Sequence, residues 1–220
     1  MCVFITGTNA VGKSALAWEI INRFGGIESI NNDVTYCKDG VICFAGSYGV
    51  TRFGGIESIN NDVTYCKDGV ICFAGSYGVT RFGGVDRIKN DKGASCTSRL
   101  AEVVEEGLKS CDTIICEGSF MNTFGLNLTN AMFKADKWLV VNLWADANTI
   151  YKRLIARTNG KGGKRGDGKF DFTKILTKQR QSMIAARKWQ SIGVKVLQVN
   201  TAETPLEDEA RMVLDEIERR

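Results

Sequence analysis

Apolar positions along the chain fall into two alternating patterns. Largely continuous apolar runs stand at Cys2-Val3-Phe4-Ile5-Thr6, in CDTIICEG (111–118) and in WLVVNLWA (138–145), and VKVLQVN (194–200) reads as a further strand. A strand that is apolar at successive positions is covered on both faces, which is the habit of parallel sheets. Between these runs the apolar spacing becomes helical. In SALAWEIINRF, Leu16, Ile20 and Phe24 recur at every fourth position with Ala17 and Ile21 beside them. Gly25 and Gly26 then end that helix. Further helices are predicted over 96–110, around 125–135, from Asp146 as N-cap through IYKRLIART, over 172–190 and over 205–219. A short strand is expected at Ile27–Asn31, and VTYCKDGVICFAG reads as a hairpin turning at Lys-Asp-Gly. The glycine- and lysine-rich stretch 159–170 is a loop. Strands alternating with helices predict an α/β fold, with a mostly parallel sheet and helices on both faces, in one domain over 1–220.

An internal repeat complicates this picture. Residues 23–51, RFGGIESINNDVTYCKDGVICFAGSYGVT, reappear letter for letter as residues 52–80, and a third RFGG opens the divergent RFGGVDRIKND. Solenoids stack several diverged units between capping units. Two undiverged copies point instead to one domain carrying a segment twice, with RFGG as the recombination boundary. The expectation is that Ile27–Asn31 of the first copy enters the sheet behind the first helix. Segment 63–84 of the second copy then makes the downstream contacts, and the residues between loop out or form an extra hairpin.

Composition narrows the chemistry. Of 220 residues, 44% are hydrophobic and 25% charged, ordinary for a globular chain. No apolar run reaches the length of a membrane span. The start, MCVFITGTNA, has no charged leader, so a cytoplasmic protein is expected, in a host cytoplasm if the gene is a phage's. There is no histidine, which removes a histidine base. Among eight cysteines, Cys37 and Cys43 recur as Cys66 and Cys72, and no CxxC occurs. This argues against zinc and for reduced, buried thiols. Net charge is +4, but within 151–190 there are 12 Lys and Arg against 2 Asp and Glu. A basic stretch in an otherwise mildly acidic chain calls for a polyanionic ligand, a nucleotide or DNA.

One motif carries the chemistry. Residues 7–14, Gly-Thr-Asn-Ala-Val-Gly-Lys-Ser, are GxxxxGK[ST], placed between a buried strand and a helix start. Gly7 and Gly12 let the chain wrap phosphate, the backbone from Asn9 onward turns its N–H groups inward, Lys13 reaches the β- and γ-phosphates, and Ser14 offers a hydroxyl to Mg²⁺. ATP and Mg²⁺ are thus the expected cofactors. A guanine-reading Asn-Lys-x-Asp is missing, and strand DTIICEG ends in Glu117 alone rather than in the Asp-Glu of a motor ATPase. A small kinase remains.

GTNAVGKS, a helix, and then SINND together resemble the polynucleotide-kinase and zeta-toxin-like P-loop kinases. That resemblance implies that Asp33 takes the proton from an acceptor hydroxyl, its copy Asp62 lying further along the chain. It implies that arginines after the fourth strand clamp phosphate: Arg153 and Arg157 on one helix face, with Arg157 favoured, and Arg165 in the loop beyond. It implies that Glu117 orients Mg²⁺ or contacts substrate, and that Asn200 and Thr201 lie under the adenine. FAGSYGVTRFGGVDRI (73–88) resembles a segment of phage-encoded kinases, including those that phosphorylate 5-hydroxymethyluracil in DNA. There Tyr77 stacks on a base, Arg81 holds a phosphate and Asp86 reads a base edge or the acceptor hydroxyl. The expected function is transfer of the γ-phosphate to a hydroxyl of a nucleotide or DNA base. The alternatives are a deoxynucleoside monophosphate kinase, or a nucleotide-binding protein silenced by the duplication.

Overall fold

The protein is described from a computed structural model. The described residues are 1–25, 27–31, 34–37, 43–45, 59–60, 71–74, 85, 88, 99–109, 111–118, 125–157 and 171–219. In order they form β1 (Cys2–Gly7), α1 (Lys13–Arg23), β2 (Ile27–Asn31), β3 (Val34–Cys37), β4 (Cys43–Ala45), β5 (Ile59–Asn60) and β6 (Ile71–Ala74). There follow α2 (Leu100–Leu108), β7 (Thr113–Glu117), α3 (Leu126–Met132), β8 (Trp138–Trp144), α4 (Ala147–Arg157), α5 (Phe172–Ser191), β9 (Lys195–Asn200) and α6 (Leu206–Glu218).

The three apolar runs and VKVLQVN are the parallel heart of the sheet, β7-β1-β8-β9. β1 sets Cys2 opposite both Ile114 and Trp138, and Ile5 opposite both Glu117 and Val141. β9 adds to β8 with Val140 opposite Val196. Every residue of β1 and of β7 is buried, so both faces of these strands are covered, as their unbroken apolar character requires. α1 turns Leu16, Ala17, Ile20 and Ile21 into the core. Trp189 of α5 lies edge-on to Phe4, with ring centroids 6.2 Å apart. Phe24 closes α1, and Gly25 follows in the left-handed region at φ 76°. Asp146 caps α4, its carboxylate accepting from the Thr149 N–H at 3.0 Å.

Beyond β7 the repeat builds the outer sheet. The predicted hairpin forms, with β3 and β4 antiparallel and Tyr36 opposite Cys43. Its Lys-Asp-Gly turn lies outside the described residues. β2 joins the sheet as expected, but outboard of β3, so that β3, β4 and β7 separate it from β1. Periodicity names strands and leaves their order open, which is why this placement was not foreseen. The downstream pairing is also not confined to the second copy: β4 and β6 both run parallel to β7. β5 pairs with β2 through Asn31 and Asn60, equivalent residues of the two copies.

One cysteine expectation is corrected. Cys2 and Cys116 are buried thiols, but Cys111 is disulfide-bonded. Among the described residues, no helix is long and apolar enough to cross a membrane.

Candidate phosphate-binding site

The site begins where β1 runs out. Gly7 has φ 138°, and a Cβ there would stand 2.5 Å from the Leu143 carbonyl oxygen. Glycine is therefore required twice, by the left-handed backbone and by the close approach of β8. Gly12, with φ 109°, has nothing within 4 Å of a built Cβ. Its demand is conformational alone, and the space above it is open. Between them Val11 is fully buried and anchors the loop, while Asn9 is exposed at its crest.

α1 then starts with Gly12 as N-cap, no side-chain cap and no acidic residue in its first turn. Its first N–H groups and the positive end of its dipole are thus directed at whatever occupies the loop, the arrangement that binds phosphate. Lys13 is buried and folds back over the loop, its Nζ donating to the carbonyls of Gly7 at 3.0 Å and Thr8 at 2.9 Å. Ser14 Oγ donates to Glu117 Oε1 at 3.3 Å, which joins the first turn of α1 to the end of β7. Glu117 is 3% exposed. A hydroxyl and a carboxylate are hard oxygen donors of the kind Mg²⁺ takes, usually one or two from protein and the rest from phosphate and water. Ser14 and Glu117 therefore fit the metal, and Gly7, Gly12, Lys13 and the start of α1 fit a nucleotide's phosphates.

The arginine expectations divide. Arg153 spends its guanidinium on Thr201, with Nη1 2.8 Å from Oγ1 and Nη2 2.6 Å from the carbonyl. It ties α4 to the turn after β9 and brings Thr201 and Asn200 to the same end of the sheet. Asn200 closes that turn, its side chain accepting from the Ala202 N–H at 3.2 Å. Arg153 thus braces the turn after β9. Arg157 ends α4, and its side chain is not among the described ones. Asp33, Asp62, Tyr77, Arg81, Asp86 and Arg165 lie outside the described residues.

Sequence reading missed a cavity beside the loop. Its volume is about 400 Å³, and its walls include Thr8, Trp144, Asp146, Gln179, Arg180 and Met183. The floor is hydrogen-bonded: Asn142, fully buried, donates to Gln198 Oε1 at 2.7 Å and accepts from Ser182 Oγ at 2.6 Å. Gln179 Nε2 donates to the Ala145 carbonyl. Trp144 and Met183 are 40% and 37% exposed and give the mouth an apolar rim. The signal was present, since Arg180 falls in the basic stretch 151–190, but only the packing of α5 on β8 brings it beside Thr8.

No protein-family model matches the chain, and no curated protein does. Among solved structures the chain is similar to the YorR protein of Bacillus subtilis in complex with phosphorylated GDP, at 16% identity and TM-score 0.48, covering 99% of this chain and 96% of that one. It is similar to an unliganded sugar kinase from a Janibacter species at 12% identity and TM-score 0.49, covering 99% and 94%. It is also similar to shikimate kinase from Acinetobacter baumannii in complex with shikimate, at 12% identity and TM-score 0.45, covering 99% and 93%.

Proposed function

We propose that the chain is a P-loop kinase that uses ATP and Mg²⁺ to phosphorylate a hydroxyl on a nucleotide or DNA base. The observation that carries this reading is the convergence at one end of the parallel sheet of Lys13, the uncapped start of α1 and the Ser14–Glu117 pair. The bound nucleotide and metal supply a transferable phosphoryl group and charge neutralisation. The chain's own part is to orient and to hold positive charge. The N–H groups of the loop and α1 fix the phosphates, and Lys13 leaves its carbonyl partners for them. Arg153 holds the Thr201 turn where a base can rest.

The resemblance of 73–88 to phage kinases makes a hydroxymethylated pyrimidine in DNA our leading acceptor, with Tyr77, Arg81 and Asp86 contacting it and Asp33 as the base. A second reading has its own observation. The cavity walled by Thr8, Trp144 and Arg180 offers an aromatic face, a guanidinium and a volume suited to a single nucleotide, as a deoxynucleoside monophosphate kinase requires. γ-Labelled ATP and Mg²⁺ with each acceptor decide between them. Label on duplex DNA containing 5-hydroxymethyluracil supports the first reading, and label on free mononucleotides alone supports the second. ATP binding without transfer to either leaves a nucleotide-binding protein and overturns the kinase.

A further inference from the structure

β7 has two edges. One carries β1, with Cys2 opposite Ile114. The other carries strands from both copies of the repeat. β4 sets Cys43 opposite Ile114 and Phe44 opposite Ile115. β6 sets Cys72 opposite Ile114 and Phe73 opposite Ile115. Cys43 and Cys72 are the same position of the two copies, as are Phe44 and Phe73. The outer neighbour treats them alike. β3 pairs antiparallel with β4 through Tyr36 and Cys43, and with β6 through Thr35–Phe73 and Val34–Ala74. Shifted back by one repeat, the β6 pairs fall in the register that joins Tyr36 to Cys43.

A strand edge presents one row of backbone N–H and C=O groups, which one neighbour at about 4.8 Å satisfies. From the shared registers we infer that the outer edge of β7 is a single strand-accepting site, and that segments 43–45 and 71–74 are its alternative occupants. The chain carries the ligand for this site in duplicate.

Identical sequence gives both occupants the same pairing and the same side chains, so their difference lies in the connections. From β3 the chain reaches β4 through residues 38–42, and β6 through residues 38–70. Toward α2 the order reverses, with residues 46–99 after β4 and 75–99 after β6. Closure cost grows logarithmically, about threefold in population per doubling of length, and the two differences oppose each other. The occupants are therefore populated within about an order of magnitude of each other. Glu117, at the end of β7, has the same neighbouring strand in either state.

Proline removes a ladder donor and is not accommodated in an interior strand, so Phe44→Pro and Phe73→Pro each close one route. In the full chain each single variant is expected to stay folded, with its thermal midpoint lowered by a few degrees at most, while the double variant loses its cooperative transition. A single variant as damaged as the double means that one copy alone is used. Two unfolded single variants mean that both copies are needed at once, and a harmless double variant means that the site is not filled by this segment. Each of these overturns the inference. Cross-linking gives a test that does not depend on proline. In a chain with Ile114→Cys and Cys2→Ala, either Cys43→Ser or Cys72→Ser leaves one repeat cysteine opposite position 114. Mild oxidation is expected to form the disulfide to position 114 in both, and formation in only one overturns the inference.

Discussion

Lys13 is the residue on which the phosphate site turns. Its ammonium is held over two loop carbonyls, so its removal costs both the charge offered to phosphate and the brace across the loop. Lys13→Met should lower ATP affinity or turnover by at least about a hundredfold, read by isothermal titration and label transfer. Glu209 shows a different residue-scale effect. Burial in α6 pushes its carboxyl up to about 7 from an ordinary 4.5, although Arg153 pulls the other way. An acid raised on folding stabilises fully below its ordinary value, and that contribution is lost as pH rises toward 7. Denaturant midpoints should therefore fall between pH 4.5 and 7. Glu209→Gln should flatten that slope and stabilise the protein above pH 7 by roughly 3 kcal/mol at most. An unchanged pH profile in the variant would remove Glu209 as the cause.

The elements differ in how far they could be read ahead. β1, the phosphate loop and α1 were legible because their chemistry is local: a buried run, two glycines at fixed offsets and a helical stripe. β8, β9 and α4 to α6 were legible from period alone. The order of β2 to β6 was not, because a strand's sequence shows which faces it buries and not which neighbour it takes. Nor was the cavity, whose walls come from the loop, the end of β8 and the middle of α5. The join between α5 and β8 rests on a buried polar contact that no periodicity displays. Ser182 Oγ donates to Asn142 Oδ1 at 2.6 Å, and both residues are buried. Ser182→Ala strands that acceptor and should cost about 1–3 kcal/mol in urea unfolding. Asn142→Leu with Ser182→Ala, which removes both partners, should cost less than the sum of the two single changes.

At the scale of the whole molecule, the parallel heart β7-β1-β8-β9 contains no residue of the second copy of the repeat. A chain lacking residues 52–80 keeps one ICFA segment and every described residue of the phosphate site. It should fold with a single transition and bind ATP within about twofold of the full chain. The same deletion resolves whether duplication dampens transfer: turnover that rises on deletion assigns the spare segment an obstructing role, and unchanged turnover makes it a passenger.

The equivalence of β4 and β6 opposite Ile114 and Ile115 reaches past folding. A lesion in either of these strand segments is masked by the other, much as one working allele covers a broken one. Each segment alone is then weakly constrained. Substitutions that an unduplicated chain would reject can gather in one of them, and that freedom ends when the second copy is damaged too.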